Sequence, residues 1–443
     1  MMRSGISALV LFVGAVSMSA ADPGSNWPHW PHWRGPQASG VADPSADPPV
    51  KWDATTNIRW KAPLPGKGSA TPVVCGDQIF VVTAEKTDRV ATPAELPKVD
   101  PRFKTKTEPP KNFYKFSVHS FDIATGKPKW SHVAAEAVPH EGHHVTHSYA
   151  AGSPTTDGKR LYVSFGSFGI YAYDLSGKLL WKRDLGQLHT RLGWGEAVSP
   201  VVHGDSLILN WDQEADSRLI VLDATNGKTR WEAKRDEKTS WNTPYVVDHQ
   251  GVTQVIVNGT NRARSYDLAT GGILWEVAGM TTNAIPSPVV ENGVAYLMSG
   301  YNGAAAVAVP LTARGDLGTT GSVLWRYSKG TPYVPSGLLY QGRLYFTQGN
   351  TQLLTILDAK TGKPITTEER LSGASQFYAS PVAAAGRIYF VDRLGTTVVI
   401  KAGDQPEVLA VNKLNDPIDA SPVIVGKTLY LRSDTTLYAI EQK

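Results

Sequence analysis

Residues 139–150 read Pro-His-Glu-Gly-His-His-Val-Thr-His-Ser-Tyr-Ala and place four histidines within eight positions. Among them His140, Glu141 and His144 satisfy H-E-x-x-H. On a helix that spacing puts two imidazoles one turn apart on a zinc ion, with the glutamate as general base of a peptidase. The chemistry requires a regular helix and a third ligand downstream. Here Pro139 precedes the motif, Gly142 interrupts it and the β-branched pair Val145-Thr146 follows, so each local signal opposes a helix. A zinc peptidase is therefore not expected. The stretch reads as a polar loop, with a metal site of another kind as the remaining alternative, and no catalytic or metal-binding residue is assigned from it. Cys75 is the only cysteine, which excludes an intrachain disulfide, a cysteine-based zinc site and a C-x-x-C-H haem attachment. Serine-hydrolase, phosphate-loop and EF-hand patterns are also absent.

The elements that carry these residues follow from composition and repetition. With 41% hydrophobic residues and a net charge of only +4, the 443-residue chain reads as globular, and nucleic acid is not an expected partner. Its 41 glycines and 30 prolines favour many short strands joined by tight turns. At the N-terminus, Met1-Met2-Arg3, the apolar run 8–16 and Ser19-Ala20-Ala21 read as an export signal over 1–21. No cysteine follows it for a lipid anchor, and no later run is long enough to span a bilayer. The expectation is an exported, periplasmic or secreted, monomeric protein.

A repeat runs through the chain. Pro72, Pro154, Pro200, Pro244, Pro288, Pro335, Pro381 and Pro422 recur at 41 to 47 residues, apart from a first gap of 82. All but the last open four alternating runs, and in five of them the turn before the last run ends in Gly followed four residues later by Trp: Trp130, Trp181, Trp231, Trp275 and Trp325. Eight units of four short antiparallel runs predict an eight-bladed β-propeller over residues 57–443, with 22–56 as an N-terminal extension. The last unit lacks a fourth run, and a spare one with Trp60 lies at 57–64, so the N-terminal strand is expected to complete the last blade. Residues 85–115 carry five prolines without alternation and read as an extended, mobile insertion in blade one.

The D-x-x-T-G-x-x-x-W element resembles the tryptophan-docking motif of pyrroloquinoline-quinone (PQQ) type propeller repeats, and Asn26–Pro36 resembles the opening of exported planctomycete-type members. That resemblance covers nearly the whole chain beyond the signal. It implies the fold of quinoprotein alcohol dehydrogenases and of the propeller subunit of the outer-membrane β-barrel assembly machinery. It also assigns Trp60, Trp130, Trp181, Trp231, Trp275 and Trp325 to docking between blades.

Each Ser-Pro or Thr-Pro opens an innermost strand, so the residues before it should lie at one mouth of the central channel. The loops between second and third strands return to the same face. This loop set holds Tyr149, Trp194, Glu196, Trp211, Asp212, Glu214, Trp241, Asn242, Asn258, Asn261, Arg262, Asn283, Tyr333 and Asp392. Aromatic and polar groups on loops of a rigid ring suit binding of an envelope protein or a small ligand, although Gly and Asn also make tight turns and Trp could plug the channel. In a quinoprotein reading, the resemblance would cast Trp241 as the floor under PQQ, Glu196 and Asn258 as Ca²⁺ ligands and Asp392 as base. The vicinal cysteine pair of those enzymes cannot exist here. The sequence reading is thus a non-catalytic binding or scaffold propeller for which no cofactor is expected, with a PQQ-dependent dehydrogenase as the alternative.

Overall fold

A computed structural model describes residues 29–98, 100–318 and 323–442; the export-signal reading and Gly321 lie outside them. Eight sheets, antiparallel apart from one short added strand, surround a central channel. Blade one comprises Val73–Cys75, Gln78–Val90, Asn112–Asp122 and Pro128–Ala137, from the channel outward. The innermost strands of blades two to eight start at Thr155, Val201, Tyr245, Val289, Leu338, Val382 and Val423. Among the described residues the only helical element is a 3-10 turn, Gly166–Phe168. No helix among them is long and apolar enough to cross a membrane.

The ring closes as the sequence implies. Ile58–Pro63 pairs antiparallel with Thr436–Ile440 and forms the outermost strand of blade eight. Side chains alternate along it, with Trp60 and Ala62 buried and Arg59 and Lys61 exposed. Closure removes the open edges that an interrupted ring would leave.

Two devices set blade against blade, and both explain sequence signatures. The first is a belt of hydroxyls at the start of the innermost strands. The backbone N–H of Thr71 donates to Ser153 Oγ, Ser153 to Ser199, Thr243 to Ser287, Ser287 to Ser336, Ser336 to Ser380, Ser380 to Ser421, and Ser421 to Thr71 Oγ1, at 2.9–3.0 Å. The proline that follows needs no partner for an N–H it lacks. In blade six the order is reversed to Pro335-Ser336, and the hydroxyl still takes its place in the belt. What recurs structurally is the hydroxyl.

The second device is tryptophan docking on the opposite face. The indole Nε1 of Trp60 donates to Ile123 O of the next blade, Trp130 to Leu175 O, Trp181 to Ala224 O, Trp231 to Leu268 O and Trp325 to Ala359 O. Each ring lies over the turn glycine of that neighbour, so a Cβ on Gly126, Gly177, Gly227, Gly271 or Gly362 would meet it at 2.5–3.0 Å. These glycines also hold positive φ, and the close approach and the left-handed backbone together require glycine.

Trp275 departs from the expected docking. It is fully buried, and its Nε1 lies 3.3 Å from Gln254 Oε1 of its own blade. Among the described residues, blade five shows no short Asp-to-Gly turn to receive it. Its connection instead sends Gly315–Asp316 back along the outer edge of blade four, and Leu311 and Leu317 join the indole in one buried cluster.

The N-terminal extension is part of the body. His29–Trp30 pairs with Val74 and Cys75 of blade one, and Pro31 O accepts from Thr156 N of blade two. Farther on, Gln37 O accepts from Tyr245 Oη, Ala42 N donates to Ala383 O, and Asp47 N donates to Gly426 O. The segment thus crosses the channel on the face of the docking turns. Arg34, fully buried there, reaches up to Pro381 O and Gly337 O at 2.7 and 2.9 Å.

The insertion also differs from expectation. The hairpin of blade one continues in register to Lys86↔Tyr114 and, past an irregularity, to Val90↔Asn112. Arg89 lies 3.7 Å over the Phe113 ring and pairs with Glu95 and Glu136, which sustains a ladder that side-chain alternation does not announce. Beyond it, Thr105 bridges Leu192 and Thr107 Oγ1 donates to Gly193 O, seating the insertion on the loop between blades two and three.

Candidate functional site

The channel mouth on the loop face is a cavity of about 400 Å³. Trp194, Trp241, Tyr301, Tyr333 and Tyr378 provide its aromatic wall, with Ile285 and Val334 between them. Trp194 and Trp241 stack with centroids 6.5 Å apart and planes at 25°, and Trp241 Nε1 is anchored on Gly195 O at 2.8 Å. Tyr301 and Tyr333 stack at 4.8 Å. Asn283, in a left-handed conformation, donates to Tyr333 Oη at 3.4 Å. Trp241 and Tyr333 are thus each held by a hydrogen bond within the protein.

The polar rim comprises Ser69, His144, Thr146, His147 and Asp419. Arg393 holds Asp419 through both carboxylate oxygens at 2.7 and 3.2 Å and lies 4.3 Å over the Tyr378 ring. Burial nevertheless pushes the Asp419 carboxyl above its ordinary range, with Arg393 opposing it. Thr146 Oγ1 lies 2.7 Å from His144 Nδ1, but the Thr146 N–H points at the same nitrogen at 3.3 Å. This is a local turn contact, unlike a nucleophile set up by an oriented base.

Of the residues expected on this face, the structure brings Trp194, Trp241 and Tyr333 to the cavity, with Asn283 behind Tyr333. The others lie elsewhere. Trp211 ends a strand, Ser206–Trp211, and is fully buried between blades. Asp212 forms a buried ion pair with Arg235 at 2.7 Å, and Ser240 donates to it as well. Asn242 and Asn258 share this network: Asn242 donates to Asn258 O, and Asn242 Oδ1 accepts from Asn258 N. Glu214 Oε1 accepts from Thr239 N and Oγ1. The backbone N–H groups of Asn261 and Arg262 end on Glu237, and the Arg262 guanidinium turns outward to Asp316 and Glu276. Tyr149 lies beneath the rim with Oη on Glu141 O at 3.1 Å.

Three of the residues cast in the quinoprotein reading make local hydrogen bonds. Glu196 accepts from Ser167 N and Oγ at 2.7 Å each, and burial raises its pKa to about 7 against the pull of His140 and Ser167. Asn258 Oδ1 accepts from Gly259 N, and its amide donates to Pro286 O and Met298 O. Asp392 Oδ1 caps Leu394 and Thr396, while Oδ2 accepts from Ser375. Of the residues cast as Ca²⁺ ligands and base, Glu196, Asn258 and Asp392 thus each carry hydrogen bonds within the protein.

Tyr301, Tyr378, His144, His147 and Asp419 belong to the cavity although the sequence did not place them on the binding face. All sit in the inter-blade or second-to-third loops, so loop position was the available signal. Identity as Trp was an uneven one, right for Trp194 and Trp241 and wrong for Trp211, and identity as Asn misled at Asn242 and Asn258.

The sequence profile described as outer membrane protein assembly factor BamB matches residues 114–363 and 242–443. A search of curated proteins returns no match. Among solved structures, BamB from Moraxella catarrhalis aligns with a TM-score of 0.52 at 14% identity, over 82% of this chain and 98% of that one. Quinohemoprotein alcohol dehydrogenase from Comamonas testosteroni aligns at 0.60 and 11% identity, over 94% and 81% respectively. The computationally designed protein Ika8 aligns at 0.52 and 11%, over 76% and 98%. At these identities the structural likenesses speak to fold alone, and they include a catalyst and a designed protein alike. The profile match extends over most of the chain. The chain belongs to the family of PQQ-type propellers described as outer membrane protein assembly factor BamB.

Proposed function

We propose that this protein is an exported, non-catalytic binding propeller of the cell envelope that receives a segment of a partner protein at its channel mouth. The observation that carries the reading is the aromatic cavity of about 400 Å³. Its size and apolar wall suit one or two large apolar side chains, with hydrogen bonds available at the rim. The head segment crosses the opposite end of the channel, which makes the mouth the accessible side. Membership in a family described as an outer-membrane assembly factor supports a protein partner over a metabolite.

Replacing Trp194 and Trp241 together by alanine should leave the fold intact, because both are half-buried loop residues, while abolishing retention of the partner from an envelope extract. Altering Lys127, Lys228 and Lys363 on the turn face should not change retention. Loss with the lysine variant and retention with the tryptophan variant would assign function to the other face.

A PQQ-dependent dehydrogenase is the second reading, favoured by the stacked Trp194–Trp241 pair. An absorption scan of the purified protein for a quinone chromophore separates the two readings.

A further inference from the structure

Outside the mouth, the loops entering blades two and three bring together groups distant in sequence. His140, Glu141 and His189 each place one potential ligand atom within 4.8 Å of the other two. His189 Nδ1 lies 3.4 Å from Glu141 Oε1. Two ligands on one tetrahedral zinc, with bonds of about 2.0–2.1 Å, sit roughly 3.3–3.5 Å apart, so this pair is already at coordinating separation.

The supporting contacts orient the same atoms. Glu141 Oε2 accepts from Thr190 N and Oγ1 at 3.0 and 2.7 Å, whereas the buried Oε1 has no hydrogen-bond partner. A buried carboxylate oxygen without a donor is costly. His140 Nε2 donates to Leu188 O at 2.8 Å, the kind of backbone contact that fixes the tautomer of a ligating imidazole, and it places the neutral ring's lone pair on Nδ1. Phe103 of the insertion stacks on His189 at 4.1 Å, and Glu196 Oε1 lies 3.9 Å from His140 Nε2. Two small cavities of about 20 Å³ each border His140 and Glu141, room for one water or ion apiece.

We propose that His140, Glu141 and His189 bind one divalent first-row metal ion, with Zn²⁺ as the fitting probe. Two imidazoles and a carboxylate suit a borderline cation. A small movement of His140 completes the three-ligand set, leaving a fourth position for water. The ion would fasten the insertion and two inter-blade loops together. It would also steady the mouth, because Glu196 O holds the rim residue His147 at 3.0 Å. The H-E-x-x-H pattern is coincidental to this site. His144 is exposed at the mouth, and the second imidazole comes instead from His189 on the loop entering blade three.

The test uses the mature protein freed of metal by chelator dialysis. Calorimetric titration should find one Zn²⁺ per chain, accompanied by a rise in melting temperature. His189→Ala should weaken binding by about 100-fold or more, beyond the loss seen when only a supporting contact is removed. His144→Ala should bind as the unaltered chain does. Two readouts need no variant: Co²⁺ should give the intense visible absorption of a four-coordinate site, and Zn²⁺ should slow tryptic cleavage at Lys98 and Arg102 in the insertion. Absence of stoichiometric binding would overturn the proposal. So would binding that survives His189→Ala but is lost in His143→Ala/His144→Ala, since the ion would then sit on the exposed histidines.

Discussion

Replacing Trp181 by alanine isolates one joint of the ring. The indole donates to Ala224 O at 3.0 Å and lies against Gly227 of blade three, where a Cβ would come within 2.7 Å of Cε3. Removing a half-buried indole exposes on the order of 100 Å² of apolar surface, about 2.5 kcal/mol at 25 cal/mol/Å². Leaving the Ala224 carbonyl without its donor adds about 1 kcal/mol. The total of about 3–4 kcal/mol falls within the usual range for Trp→Ala in a packed site.

Gly227→Ala attacks the joint from the other side, through backbone strain at φ +72° and collision with the ring. Gly204→Ala in the same blade supplies the control, because its φ is +54° but no atom lies within 4 Å of the added Cβ. Urea unfolding followed by fluorescence should rank Gly227→Ala well below Gly204→Ala in stability. The Trp181→Ala/Gly227→Ala double variant should be less destabilised than the sum of the singles, because the collision disappears with the ring. Equal effects of the two glycine changes, or strict additivity, would refute docking as the cause.

Ring closure and buried histidine give two further expectations. Deleting residues through 64 removes the outermost strand of blade eight together with Trp60, so the truncated chain should melt far below the mature form; matched melting curves would show that closure contributes nothing. His119 is buried between Thr83 and Ser131, and burial, aided by Arg432, lowers its pKa from 6.5 to about 4. Between those values the unfolded chain binds a proton that the folded chain does not, so stability falls as pH drops from 6.5 to 4, by up to about 3 kcal/mol from this group. His119→Gln should flatten that part of the stability–pH curve, and an unchanged slope would mean that His119 titrates alike in both states.

The ring was legible because each blade repeats the residues that join it to the next. Ser153, Ser199 and Ser287 serve as belt acceptors, Gly126 and Gly227 as ring-contact glycines, and Trp60 as the sign that the first strand belongs to the last blade. Trp275 was misread because docking needs a receiving turn, and that turn belongs to a different blade. The course of the head segment gave little signal: a two-residue strand and Arg34, whose acceptors Gly337 and Pro381 lie 303 and 347 residues away, carry no periodicity.

Within the site, loop membership was readable but side-chain direction was not. Trp194 and Trp211 both fall in the expected loop set, yet a strand that runs as far as Trp211 turns its indole between blades, whereas Trp194 stays on an inter-blade loop and faces the mouth. Likewise nothing local pairs Asp212 with Arg235 or Glu141 with His189.

Whether the mouth is the surface that meets a partner is tested most directly by site-specific photocrosslinking. A benzophenone amino acid placed at Tyr301, within the aromatic wall, is compared in living cells with the same probe at Lys228 on the turn face. A binding mouth predicts a discrete adduct from position 301, abolished by Trp194→Ala/Trp241→Ala, and none from position 228. An adduct from position 228 with none from 301 would contradict it.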